Sequence, residues 1–290
     1  MNRSDFRADI HCHSDFSDGS DSPQALLQLA KKTHLFGLSI TDHDTIEAYT
    51  PDLFREAESL QIRLLTGVEL STEFESEEIH VLGYGFDLEA SSLRAFIQEI
   101  QRRRAGRNQK ILENLHRKGI FITEEELAQF AGSPSPKWQE NDWFKGKKII
   151  GRPHIAALMM EKGYVRNLKD AFDVYLKQGA CCYAPGLKFT PLDAIQEIRR
   201  AGGKAILAHP HFIKRGHTQK RILSLPFDGI ECYYSMLAKA QEAPWLQLAE
   251  KKGWIATGGS DYHGAFKPHI PLGCSWVNEK TFLQLIDRHE

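Results

Sequence analysis

Long apolar runs are missing from this 290-residue chain: nowhere do eighteen apolar residues follow one another, and the N-terminal MNRSDFRADIH has no apolar leader core. The expectation is a cytoplasmic protein without a membrane-spanning helix or secretory leader. An excess of charge is missing too, since 37 Lys and Arg face 38 Asp and Glu, for a formal net charge of -1. Duplex DNA and membranes then find no global attraction, and an anionic substrate has to be held by local positive charge, bound metal included. Cysteine is scarce and odd in number, with Cys12, Cys181, Cys182, Cys232 and Cys274 scattered and no CxxC spacing. Free thiols are expected rather than disulfides. The chain also has no internal repeat and no low-complexity tract.

What remains is ordinary globular composition, 41% hydrophobic and 26% charged, and enough length for one barrel-like domain with an insertion. Six short apolar runs each end in acidic or histidine residues: ADIHCHSDFSDG, LSITDHDT, LLTGVELS, EEIHVLGYG, KAILAHPH and IATGGSDYH. FDGIECYY, ending near Glu231, is a seventh candidate strand. Helix starts lie between them, at Ser22-Pro23 and at Thr190-Pro191 with Asp193 placed for a capping box. Strands alternating with helices predict an α/β domain with a largely parallel sheet, and chemistry after the strands suits the C-terminal rim of a barrel.

From about Ser91 to Gly186 the rhythm changes. Leu93, Phe96, Ile97, Ile100, Ile111, Leu112 and Leu115 recur at helical spacing, Thr123 to Glu126 reads as a capping box, and GRPHIAALMMEKGYV and NLKDAFDVYLKQG read as further helices. The segment is a mostly helical insertion. Its most irregular part, SPSPKWQENDWFKGKK from Ser133 to Lys148, reads as a surface loop or a lid.

Imidazole with carboxylate suits zinc, manganese or iron, and so many such groups predict a multinuclear metal hydrolase. His11 and His13, two apart on a strand end, face one side, and Asp18 before Gly19 adds a carboxylate. Asp9 shares that face and is a candidate buttress for a histidine. In TDHD, alternation separates His43, read as a ligand, from Asp42 and Asp44, and Asp44 reads as a helix cap. Glu69 ends a buried run, where a carboxylate is costly unless paired, and it is a candidate bridge between ions. His80, His209, Asp261 and His263 extend the ligand series, with Gly258-Gly259 allowing close backbone approach, while His211 and His217 are left outside it. Arg152 and His154, at a helix start in the insertion, suit an anion such as phosphate. The basic run Arg102, Arg103, Arg104 and Arg107 reads as a solvated helix face.

Taken in order, these motifs resemble the PHP family, the polymerase and histidinol phosphatase group of metal-dependent phosphoesterases, over residues 8 to 90 and 190 to 290. The resemblance implies a distorted (β/α)7 barrel at 1–90 and 187–290, a helical subdomain inserted at 91–186, and about three Mn, Fe or Zn ions. By the family's scheme His11, His13, Glu69 and Asp261 hold one ion, Glu69, His80 and His209 a second, and Asp18, His43 and His263 a third. The GRPH insert is similar to that of nucleoside 3′,5′-bisphosphate phosphatases and 5′-to-3′ exoribonucleases, which implies a small phosphorylated nucleotide or short RNA as substrate. Arg152 and His154 would then hold phosphate or serve the leaving group. Histidinol-phosphate phosphatase and a noncatalytic metal-binding module are the alternatives.

Overall fold

A computed structural model describes residues 6–132, 149–186 and 189–286. The Ser133 to Lys148 stretch lies outside the described residues. The chain folds as two compact units, residues 1–97 with 188–290, and residues 98–187.

The first unit is α/β. Its first sheet is parallel, in the order β1 (Ala8–Cys12), β2 (Gly37–Ile40) and β3 (Arg63–Leu64). Every residue of β1 and β2 is buried, which is why both read as near-continuous apolar runs. Helices α1 (Pro23–Lys32) and α2 (Pro51–Ser59) make the two crossovers. Each starts at a proline behind a capping hydroxyl, Ser22 accepting from the Ala25 amide and Thr50 from that of Leu53.

The second sheet runs β4 (Gly67–Phe74), β5 (Glu77–Tyr84), β6 (Lys204–Leu207), β7 (Gly229–Tyr234) and β8 (Ile255–Gly259). Among the described residues, four of the six strand pairings are parallel, as expected, and this sheet holds the two exceptions. β4 and β5 are antiparallel partners with Phe74 opposite Glu77, β5 and β6 are antiparallel, and only β6, β7 and β8 run parallel. A two-residue connection is too short for the crossover that parallel strands require. Glu75 and Ser76 make this turn with φ of 50° and 63°, the doubly left-handed geometry of a tight hairpin, without the Gly or Asn that signals it.

Isolated bridges join Cys12 of β1 to Tyr262, just beyond β8, and His43, just beyond β2, to Glu69 of β4, while Ala8 pairs with Val277, outside both sheets. Ile10, Leu82, Tyr84, Ile206 and Phe282 belong to the core behind them. Full burial of an apolar side chain of this size contributes about 1.5–3 kcal/mol. Helix α7 (Pro191–Arg200) carries the Thr190–Asp193 capping box that its sequence signals.

The helix α3 (Ser91–Arg117) crosses the boundary at residue 97. The second unit then contains α4 (Glu124–Phe130), with its Thr123–Glu126 capping box, α5 (Arg152–Glu161) and α6 (Leu168–Ala171), around a core that includes Ile111, Leu115, Ile155 and Met159. Back in the first unit, α8 (Gly216–Ile222), α9 (Lys239–Lys252) and α10 (Glu279–Ile286) complete the helices. No helix among the described residues is long and apolar enough to cross a membrane, and all five cysteines are free thiols.

Candidate metal centre

Strands of the first unit, and the residues just beyond them, converge on one buried carboxylate. Glu69, on β4, is 1% exposed and meets five imidazoles. Its Oε1 lies 2.7 Å from His80 Nδ1 and 2.9 Å from His209 Nε2, and its Oε2 lies 3.1 Å from His13 Nε2, 3.2 Å from His11 Nε2 and 3.4 Å from His43 Nδ1. His11 lies on β1 with His13 just beyond, His43 follows β2, His80 is on β5, and His209 follows β6.

Asp261 and His263 follow β8. Asp261 Oδ1 stands 3.3 Å from His13 Nε2, and His263 Nε2 stands 3.4 Å from Asp18 Oδ1. Two glycines make this proximity possible: a Cβ on Gly19 would come within 2.1 Å of the His13 carbonyl oxygen, and one on Gly259 within 2.5 Å of His11 Cβ. His209 and Asp261 themselves take positive φ, 24° and 55°, a costly backbone region that clusters at functional sites.

Three sets of side chains have ligand atoms all within 4.8 Å of one another: His11, His13, Glu69 and Asp261; His13, Asp18, His43 and His263; and His43, Glu69 and His80. The grouping differs in detail from the family's scheme. His13 also joins Asp18 and His263, and His43 joins Glu69 and His80, where the scheme has His209. Both nitrogens of buried His13, with Asp18 Oδ1, His43 Nδ1 and His80 Nε2, lack a well-directed hydrogen bond. Buried polar atoms left so are costly, and converging lone pairs of this kind fit a divalent cation.

Ionisation follows from the same crowding. Burial alone would raise the Asp18, Glu69 and Asp261 carboxyls, but His43 beside Asp18 and Glu69, and Lys267 beside Asp261, hold all three well below the usual range. Burial lowers His43 to about 3. Against the same burial, Asp261 and Glu69 raise His13 to about 9 and Glu69 raises His80 to about 10.

Several supporting residues were not legible as such. Glu231, on β7, accepts from His11 Nδ1 at 2.8 Å and from the His209 amide at 2.7 Å. A carboxylate can only accept here, so it sets the Nδ1–H tautomer and leaves His11 Nε2 facing the centre. Tyr234 and Lys267 both donate to Asp261 Oδ2 at 2.6 Å, turning Oδ1 toward the histidines. Glu69 does not end its buried run, and neither does Glu231: each is the third residue of its strand, with buried Leu70 and Cys232 following, so the available signal was a carboxylate inside an apolar run. Asp9 buttresses backbone rather than a ring, accepting from the amides of His11, Ser260 and Gly273. Asp42 accepts from Ser14 and Ser17. Asp44 is not a helix cap: it accepts from the Ser71 amide, and the next helix is capped by Thr50.

Arg152 and His154 belong to the other unit, at the start of α5, where His154 Nδ1 accepts from the Gly151 amide at 3.1 Å. The solvated reading of the basic run holds for Arg102, paired with Glu99, but Arg104 and Arg107 are buried. Their positions fall on the inward side of α3, where a long aliphatic stem packs well.

Comparison with known proteins agrees with this geometry. Residues 9–169, more than half the chain, match the PHP domain. The chain is 31% identical to the 5′-3′ exoribonuclease Rnm of Escherichia coli, over 91% of this chain and 87% of that protein. It is 28% identical to a 3′,5′-nucleoside bisphosphate phosphatase of Chromobacterium violaceum, over 88% and 86%. A Bifidobacterium adolescentis crystal structure, assigned as a metal-dependent phosphoesterase, superposes with a TM-score of 0.83 at 26% identity, covering 98% of this chain and 96% of the other. The chain belongs to the PHP domain family.

Proposed function

We propose that the protein is a metal-dependent phosphoesterase that hydrolyses phosphate esters of small nucleotides, nucleoside 3′,5′-bisphosphates among them, or of the 5′ ends of short RNA. The carrying observation is the set of buried imidazoles and carboxylates that converge on Glu69 with lone pairs unsatisfied. Relatives that act on RNA and on nucleoside bisphosphates support the substrate class.

His11, His13, Asp18, His43, Glu69, His80, His209, Asp261 and His263 would hold about three ions of Mn, Fe or Zn. Such ions supply an activated water and charge neutralisation at the phosphoryl oxygens. The chain's own part is placement. Glu69 presents one oxygen to each side of the cluster, Glu231 sets the His11 ring, and Tyr234 with Lys267 aims Asp261. Arg152 and His154 would hold a substrate phosphate, a guanidinium beside a helix start being suited to an anion. The bridged sheets support a distorted (β/α)7-type barrel spanning 1–90 and 187–290, with 91–186 as its helical insertion.

The test is turnover by metal-loaded protein of a nucleoside 3′,5′-bisphosphate, histidinol phosphate and a short 5′-phosphorylated RNA. Preference for the first or third is expected. Preference for histidinol phosphate would reassign the substrate, and no turnover with full metal would mark a noncatalytic module. Arg152→Ala should lower kcat/KM on the bisphosphate by roughly 30-fold or more, with a smaller loss on an aryl phosphate. Equal losses on both would put Arg152 at the reacting phosphate instead.

A further inference from the structure

We propose that the cavity beside His80 and His209 is a nucleobase subsite and that Phe212 is its stacking platform. The inference rests on the reading of this centre as a nucleotide phosphoesterase and names what holds the rest of the substrate. The cavity has a volume of about 180 Å³ and is lined by apolar Ile79, Ala208, Phe212 and Ile213, by the imidazoles of His80 and His209, and by Glu78. Both imidazoles also touch Glu69 Oε1, so the cavity opens directly off the cluster. A molecule held at the cluster by its phosphate has these walls within reach of its remaining atoms.

Phe212 ends the short turn Pro210–Phe212 that follows His209, and it is 52% exposed. It is not an isolated surface phenyl. Its ring centroid lies 4.3 Å from that of His211, 5.2 Å from His209 and 5.7 Å from Tyr234, the last nearly perpendicular at 84°. Three rings brace it while half its surface stays open. A braced aromatic offers a flat contact with little ordering cost on binding. Stacking of this kind accepts every base, because each has a π face. The volume is well below the roughly 300–1,000 Å³ of sites for larger organic ligands, which suits a group the size of one ring system.

The probes are adenosine 5′-monophosphate and ribose 5-phosphate, which share a phosphate and sugar and differ in the base, titrated calorimetrically into the full chain loaded with Mn(II). Wild type should favour the nucleotide by roughly ten- to hundredfold. Phe212→Ala and Phe212→Leu should both bring the two affinities to within about threefold, whereas Phe212→Trp should keep the preference. Equal affinities in wild type, or a preference that survives Phe212→Ala or Phe212→Leu, would overturn the subsite and leave the phosphoesterase reading intact. A wild type that binds neither phosphate would remove both.

Discussion

One carboxylate against five imidazoles makes Glu69 the most exacting position in the protein. Glu69→Gln keeps the shape but replaces a bridging charge with a neutral amide whose NH2 group points donors at would-be ligands. Metal content should fall, and kcat/KM with it by roughly 100-fold or more; elemental analysis alongside kinetics checks this. Glu231→Gln should act more gently, weakening metal affinity by roughly 10- to 100-fold while the fold persists, because only the His11 tautomer and orientation are disturbed. Unchanged affinity would reduce Glu231 to a tether of the His209 amide. Protons follow the same logic. Asp261 and Glu69 raise His13 to about 9 and Glu69 raises His80 to about 10, so protons and cations compete for these ring nitrogens. Metal uptake should release protons, and affinity should rise with pH up to that range. Calorimetry in buffers of different ionisation enthalpy measures the release, and a value of zero would contradict the assigned ligands.

At the scale of elements, the site depends on how closely β8 approaches β1. A methyl at position 259 would lie 2.5 Å from both the Cβ and the amide nitrogen of His11, and backbone cannot yield as a side chain can. Gly259→Ala should therefore destabilise by about 1–3 kcal/mol and shed metal, seen as a lowered Tm and lowered metal content. Full occupancy in that variant would show that β8 can shift without cost to the centre. The Gly258-Gly259 pair announced this approach in the sequence, as the Thr190-Pro191 start announced α7. Strand-end ligands were legible because polar residues closing apolar runs stand out locally. Glu231 lies inside such a run, and its partner His11 is 220 positions away, so no local pattern reports that pairing. The β4–β5 hairpin was hidden for another reason: Glu75 and Ser76 occupy a turn that glycine or asparagine would have advertised.

Across the whole molecule, all nine proposed ligands fall in the unit formed by 1–97 and 188–290, and none falls in 98–187. Ions that bind only the native cluster stabilise that unit by mass action. Chelation should lower Tm and raise amide hydrogen exchange in the first unit, with residues 98–187 much less affected. Uniform loss of protection in both units would mean that they unfold as one.

The division of that unit between two chain segments also sets an order of events during synthesis. By the time residue 187 has been added, His11, His13, Asp18, His43, Glu69 and His80 all exist, but His209, Asp261 and His263 do not. The strand that closes against β1, and the carboxylate that completes the group at His13, emerge from the ribosome only after the whole of residues 98–187. Six ligands must wait with their partners unmade, while the helices of residues 98–187, built from near neighbours in sequence, can already form. Nascent chains arrested before residue 255 should retain far less metal than the released protein, so that cation capture is a late step of biogenesis.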